Sequence, residues 1–60
     1  MDNKEWILIT GASSGMGREM AIRFSSVFWV ILNGRDFERL EETRQLCEDS
    51  DKQLIWQYDL

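Results

Sequence analysis

Three short apolar segments alternate with two amphipathic ones along this chain of 60 residues. The apolar segments cover residues 6–10, 28–32 and 53–58, the last centred on Leu54-Ile55-Trp56. The first run is continuously apolar and ends at a glycine, which is typical of a strand covered on both faces in a parallel sheet. We therefore predict three strands.

The two intervening segments have helical spacing. In the first, Met16, Met20 and Phe24 recur every four residues, which predicts that they share one face of a helix. In the second, Asp36 is a good N-cap for a helix over residues 37–49. The face of this second helix that we expect to be buried holds Phe37, Leu40, Thr43 and Cys47.

The resulting order is β-α-β-α-β, which has the size of one mononucleotide-binding half of a doubly wound fold. Strands that alternate with helices of this length form parallel sheets. We thus predict an α/β fold, a partial Rossmann arrangement with a three-stranded parallel sheet. Residues 1–60 would form the N-terminal part of a dinucleotide-binding domain.

Composition narrows the classes of function. A net charge of −4 with scattered cations argues against nucleic acid as a partner. The first apolar run is too short for a signal peptide or a membrane span, so we expect a cytoplasmic protein that does not bind membranes. One cysteine and no histidine exclude a disulfide within the chain and a Cys/His metal set. Cys47 is interpreted as a small residue of a helix face, with a reactive thiol as the alternative.

The candidate chemistry lies between the first strand and the first helix, in the segment Thr10-Gly-Ala-Ser-Ser-Gly-Met-Gly. A dinucleotide pyrophosphate needs a tight turn, close approach of the backbone and free N–H groups at a helix N-terminus. Gly11 can supply the turn, Gly15 the approach, and Gly17 close packing of the helix. The hydroxyls of Ser13 and Ser14 add donors. A turn of the same geometry without a ligand is the alternative.

The glycine spacing is G-x-x-x-G-x-G, and Met16 stands where a P-loop requires glycine. The segment resembles the T-G-x-x-x-G-x-G motif of the short-chain dehydrogenase/reductase family, and the similarity runs along nearly the whole chain. Asn33-Gly34-Arg35 looks like the end of that family's second strand, and Asp59-Leu60 looks like the Asp-Leu/Val pair after its third strand.

The resemblance implies a dinucleotide cofactor. The residues expected to bind it are Gly11, Ser13, Ser14, Gly15, Met16, Gly17, Arg35, Asp59 and Leu60. Asp59 would accept a hydrogen bond from the adenine amino group, with the backbone of Leu60 nearby. Arg18 is interpreted as a surface residue of the first helical turn rather than as a ligand.

The residue at the tip of the second strand distinguishes the two cofactors. A carboxylate there binds the ribose hydroxyls of NAD, whereas an arginine offers charge-assisted contacts to the 2′-phosphate of NADP. Gly34 leaves room for the ribose and Arg35 follows it, so we expect NADP, with Ser13 as a second ligand of the phosphate. In the alternative, Arg35 is a solvated turn residue and Asp36 is the ribose acid of an NAD site.

Two departures from the family pattern stand out. The turn at residues 25–28 lacks the glycine that is usual there and is one residue short, so the sequence does not define where the first helix ends. The family's Asn-Asn-Ala-Gly segment, catalytic serine and Tyr-x-x-x-Lys pair would all follow residue 60. We therefore name no catalytic or metal-binding residue and expect these residues to be inactive alone.

Three functions remain open from the sequence. The first is the NADP-binding segment of an oxidoreductase that transfers hydride between NADP(H) and a carbonyl or alcohol in the complete protein. The second is a non-enzymatic truncated fragment that folds by association and binds cofactor weakly or not at all. The third is a nucleotide-sensing module. Because the apolar first strand would lack its neighbour, we expect self-association through its edge.

Overall fold

The computed structural model describes residues 4–58 of the chain. Its elements follow the predicted order of strand, helix, strand, helix and strand. They are β1 (Trp6–Ile9), α1 (Gly15–Phe24), β2 (Trp29–Gly34), α2 (Phe37–Leu46), a short 3-10 helix (Ser50–Lys52) and β3 (Leu54–Gln57). In this part of the chain no helix has both the length and the apolarity needed to cross a bilayer.

The three strands form one parallel sheet in the order β1-β2-β3. This confirms the predicted α/β fold with a three-stranded parallel sheet. The second strand begins one residue later than predicted and extends through Asn33 and Gly34, because these residues pair with Trp56 and Gln57 of β3. β2 is therefore the central strand, and β1 is an edge strand of the described sheet.

One face of the sheet carries both helices and the hydrophobic core. The core residues are Ile9, Ala12, Ala21, Val30, Leu32, Leu40 and Cys47. Strand residues alternate between the two faces, and the neighbours of the buried residues in each strand point the other way. These neighbours are Trp6, Leu8, Trp29, Ile31, Leu54 and Trp56, and we call the surface that they form the open face.

The buried side of α1 lies beside the predicted face of Met16, Met20 and Phe24. Met16 is 79% exposed and Met20 is also exposed, whereas Phe24 is partly buried against the core. The side that approaches the core carries Gly17 and Ala21, which are adjacent in sequence to the methionines. Small residues let the helix axis come close to the strands, so here the short side chains, not the long ones, mark the buried face.

The turn from α1 to β2 is closed by serines in place of the expected glycine. Ser25, the C-cap, has an ordinary helical backbone (φ −64°), and its hydroxyl donates to the carbonyl of Ile22 at 2.7 Å. The Ser26 hydroxyl donates to the carbonyl of Arg23 at 3.0 Å. These bonds satisfy carbonyls that a left-handed glycine cap otherwise serves. The departure from the family pattern is thus compensated locally.

The second helix ends earlier than the predicted range of 37–49. Cys47 has an extended backbone (φ −82°, ψ 158°), and Asp49 adopts the left-handed region at φ +49°. Leu40, Thr43 and Cys47 are buried as predicted, but Phe37 is exposed, so its predicted place in the buried face is wrong. Phe37 is the first residue of the helix, just beyond the strand it would have to cover.

The side chain of Gln53 completes the junction between β2 and β3. It is buried, and its Oε1 accepts a 2.7 Å hydrogen bond from the backbone N–H of Val30. Its Nε2 donates to the carbonyl of Glu48 at 2.7 Å. The amide therefore extends the ladder one residue before β3 begins.

Candidate functional site

A cavity of about 280 Å³ opens at the carboxyl ends of the strands. Ligands of open α/β sheets bind at this edge, beyond the strand ends. The cavity is lined by Thr10, Gly11, Ser13, Asn33, Gly34, Arg35, Asp36 and Tyr58. Three of the predicted cofactor residues, Gly11, Ser13 and Arg35, are therefore brought together although they lie on two different loops.

The glycine-rich turn has the backbone geometry that its sequence predicts. Gly11 and Gly15 lie in the left-handed region at φ +64° and φ +61°. A Cβ on Gly17 would lie 2.1 Å from the carbonyl oxygen of Gly11, so only glycine allows α1 to pack this closely on the turn. A Cβ on Gly15 would meet no atom within 4 Å, so the space beside it is open to an approaching group.

The first turn of α1 presents a favourable environment for an anion. Ser14 is the N-cap with extended backbone, and its side chain makes no capping hydrogen bond within the described structure. The N–H groups of a first helical turn lack intrahelical partners and carry partial positive charge. Ser14, Gly15, Met16 and Gly17 do not line the cavity itself, but they continue directly from Ser13, which does.

The end of β2 forms the other side of the cavity. A Cβ on Gly34 would lie 3.1 Å from Cδ2 of Leu40 and 3.5 Å from Oγ of Ser13, so the glycine keeps this corner open. Arg35 follows and is exposed at the cavity rim. The carbonyl of Arg35 accepts a 2.9 Å hydrogen bond from Nε2 of Gln57, which ties the loop to β3.

Asp36 is the N-cap of α2, as its position predicts. Its Oδ1 accepts a 3.2 Å hydrogen bond from the backbone N–H of Arg39, and its Oδ2 lies 3.7 Å from Nε of the same arginine. The carboxylate therefore stabilises the start of α2 while it lines the cavity.

Tyr58 is a cavity residue that the sequence did not indicate. Its N–H donates to the carbonyl of Gly34 at 2.9 Å, and its ring stacks on Trp56 with centroids 5.6 Å apart. The predicted strand order could have indicated it, because the residue after β3 must lie beside the end of β2 in a parallel sheet. The predicted adenine contacts, Asp59 and Leu60, lie outside the described residues.

Arg18 is not the simple surface residue that its position suggested. Its guanidinium contacts the carbonyl of Ser13 at 3.2 Å and, on α2, the Thr43 hydroxyl at 2.9 Å. It also forms an ion pair with Glu42 at 3.2 Å. The charge is thus used to join the turn, α1 and α2.

Three side chains with shifted pKa values, Glu41, Arg44 and Cys47, lie away from the cavity. On α2, the hydrogen bond from Arg44 lowers the pKa of Glu41, and the same bond raises the pKa of Arg44. Burial raises the pKa of the Cys47 thiol, which argues against the alternative of a reactive cysteine. Across residues 4–58, no three His, Cys, Asp or Glu side chains form a group that could hold a metal ion.

Comparison with known proteins gives a consistent result. The sequence model of the short chain dehydrogenase family matches residues 5–60. A Bacillus subtilis protein named "Probable 2,4-dienoyl-CoA reductase" is 40% identical over 52 residues, 85% of this chain and 20% of that protein. Sulfoacetaldehyde reductase from Chromohalobacter salexigens is 48% identical over 40 residues, 65% of this chain and 16% of that protein.

A solved structure shows the same arrangement of elements. The short chain dehydrogenase from Salmonella enterica serovar Typhi superimposes with a TM-score of 0.79 and 34% sequence identity. The match covers 98% of this chain and 25% of that one. The chain thus spans a fifth or less of the length of the two curated relatives and a quarter of the solved structure.

Proposed function

We propose that this chain, which belongs to the short chain dehydrogenase family, binds NADP through the glycine-rich turn and Arg35. The family uses a nicotinamide dinucleotide, either NAD or NADP. The observation that carries the proposal is that Gly11, Ser13 and Arg35 line one cavity at the carboxyl edge of the sheet.

The turn fits the pyrophosphate of such a cofactor. The open space beside Gly15 admits a phosphate to the backbone, and the first turn of α1 offers N–H groups and a positive dipole end. The hydroxyls of Ser13 and Ser14 would add hydrogen bonds to the phosphate oxygens. Met16 and Gly17 would contribute through their backbone.

Arg35 and Ser13 support the choice of NADP. A guanidinium at the cavity rim can make bidentate hydrogen bonds to a 2′-phosphate. The Ser13 hydroxyl lies across the corner that Gly34 keeps open. The alternative, in which Asp36 binds the ribose of NAD, is less favoured because this carboxylate already caps α2 and pairs with Arg39.

For the complete activity we propose hydride transfer between NADP(H) and a carbonyl or alcohol substrate. When bound, the nicotinamide supplies the hydride. The residues of this chain would bind and orient the cofactor, with Asp59 and Leu60 as the proposed adenine contacts. The two relatives described above are named as reductases, which supports reduction as the direction of the reaction. The name of sulfoacetaldehyde reductase specifies an aldehyde, a carbonyl substrate.

Calorimetric titration of the chain with NADPH and with NADH measures both affinities and tests the choice of cofactor. We expect the chain to prefer NADPH, and Arg35→Ala to weaken NADPH binding by about 10- to 100-fold, since a hydrogen bond to a charged group contributes about 1.5–3 kcal/mol. NADH binding should be unchanged, because NADH lacks the 2′-phosphate.

Arg23→Ala is the matched control, since Arg23 is an exposed arginine at the far end of α1 that pairs with Glu19. It should alter neither affinity. Equal binding of NADPH and NADH by the wild-type chain would refute the NADP preference. No binding of either nucleotide by a chain with folded circular dichroism would instead favour the non-enzymatic alternative.

A further inference from the structure

The main chain of Ala12, in the middle of the glycine-rich turn, is held from two sides. Its N–H donates to the carbonyl of Asn33 at 2.9 Å, and its carbonyl accepts from the hydroxyl of Thr43 at 2.9 Å. Ala12 and Thr43 are both fully buried. The turn is therefore tied to β2 and to α2, whose residues lie 21 and 31 positions further along the chain.

Arg18 orients the Thr43 hydroxyl. Its Nε donates to Oγ1 of Thr43 at 2.9 Å, and a guanidinium can only donate, so it occupies a lone pair of that oxygen. The hydroxyl hydrogen is then directed to the two neighbouring carbonyls, Ala12 at 2.9 Å and Arg39 at 3.1 Å. Linked hydrogen bonds of this kind strengthen one another in a buried setting.

The same guanidinium holds the next residue of the turn directly. Nη2 of Arg18 contacts the carbonyl of Ser13 at 3.2 Å and two oxygens on α2, the Arg39 carbonyl at 3.3 Å and Oε1 of Glu42 at 3.2 Å. Two consecutive carbonyls of the turn, at Ala12 and Ser13, are thus fixed by one side-chain pair.

We propose that Thr43 and Arg18 are positioning residues that hold the glycine-rich turn in the conformation that receives the cofactor pyrophosphate. The proposal rests on the function proposed above. Neither side chain lines the cavity, so both act through the backbone of Ala12 and Ser13. The Ala12 carbonyl is thereby held toward α2 and the Ser13 carbonyl toward the Arg18 side chain, so neither is free to turn toward the phosphates.

Thr43→Val and Thr43→Ser test the proposal, because valine keeps the shape and removes the hydroxyl while serine keeps the hydroxyl. We expect Thr43→Val to weaken NADPH and NADH equally, by about tenfold, the effect of leaving one buried carbonyl unpaired. The ratio of the two affinities should not change, since both nucleotides share the pyrophosphate. Thr43→Ser, which keeps the hydroxyl, should bind both nucleotides with the affinities of the wild-type chain.

Ser25→Ala is the matched control for stability. Ser25 is also fully buried, and its hydroxyl bonds to the backbone of Ile22 and Glu48 at the opposite end of the helices. We expect this variant to be less stable but to bind nucleotide normally when folded. If Thr43→Val behaves in the same way, the positioning role is refuted.

Amide hydrogen exchange at Ala12 provides a readout that does not need a nucleotide. Thr43→Val should accelerate exchange of the Ala12 N–H relative to the amides of β2, and Thr43→Ser should not. If the wild-type chain binds neither nucleotide, the proposed function fails, and this exchange pattern still decides whether Thr43 holds the turn. Unchanged exchange in Thr43→Val would overturn the proposal.

Discussion

Gly15 and Gly17 serve different physical purposes although they are two residues apart. Gly15 has a left-handed backbone with open space where a Cβ would be, whereas Gly17 has no room for a Cβ because the carbonyl of Gly11 occupies its place. The first glycine relieves backbone strain and the second permits close packing. Substitution by alanine should therefore destabilise the chain to a different extent at the two positions.

We expect Gly17→Ala to destabilise the chain by roughly 3 kcal/mol, the upper end of the usual cost of overpacking, because its Cβ would meet backbone atoms that cannot move independently. Gly15→Ala should cost about 1–2 kcal/mol, the penalty of the left-handed conformation. Urea unfolding of both variants measures the difference. A smaller loss in Gly17→Ala than in Gly15→Ala would contradict this account.

The sequence predicted the roles of Gly11 and Gly17, because a glycine's lack of a side chain constrains what it can do between a strand and a helix. It did not predict the roles of Arg18 and Thr43. Their contact joins residues 25 positions apart, and only the packing of α1 against α2 brings them together. A long polar side chain can reach many partners, so the position of Arg18 in its helix did not identify Thr43 as its partner.

At the scale of elements, the helices show where periodicity succeeds and where it fails. The pattern predicted both helices and the burial of Leu40. It placed Met16, Met20 and Phe24 on one face of α1 but did not say which side is buried, and the side nearest the core carries Gly17 and Ala21. Where a helix packs closely on a turn, small residues lie on its buried side, and hydrophobicity alone does not identify that side.

The junction of β2 and β3 depends on one buried amide. We expect Gln53→Ala to lower the free energy of unfolding by about 2 kcal/mol, because the Val30 N–H and the Glu48 carbonyl would lose their partner. The control is Gln45→Ala, which removes an exposed amide of α2 and should change the free energy of unfolding by less than about 0.5 kcal/mol.

Chemical denaturation with urea provides both values for Gln53→Ala and Gln45→Ala. Equal stability of the two variants would show that water replaces the Gln53 side chain without cost. The pattern predicted Gln53 only as the first residue of the third strand, because a glutamine beside a polar turn is ordinarily solvated.

At the scale of the whole molecule, the elements of residues 4–58 cover one face of the sheet only. Parallel sheets are ordinarily buried on both faces, and here Trp6, Leu8, Leu54 and Trp56 are each about half exposed on the open face. In the described sheet, the outer edge of β1 pairs with no other strand, so backbone groups beside this surface are open to pairing. Self-association through the β1 edge, expected from the sequence, thus remains a prediction.

We expect the chain to sediment as a dimer or larger species at micromolar concentration, and Leu8→Lys to shift it toward the monomer, because a charge on an edge strand opposes pairing. Leu46→Lys is the control. Leu46 is 57% exposed and Leu8 48%, but Leu46 ends α2 on the other side of the molecule. A folded wild-type monomer would defeat this expectation.

The open face also determines how the molecule can be observed optically. All three tryptophans of the sequence, Trp6, Trp29 and Trp56, belong to it, and the first two lie in contact with their ring centroids 6.1 Å apart. Intrinsic fluorescence therefore reports on this surface and hardly on the core beneath the helices. A blue shift in its emission would report that the open face has been covered, while Trp56, stacked on the cavity residue Tyr58, places one emitter beside the cavity.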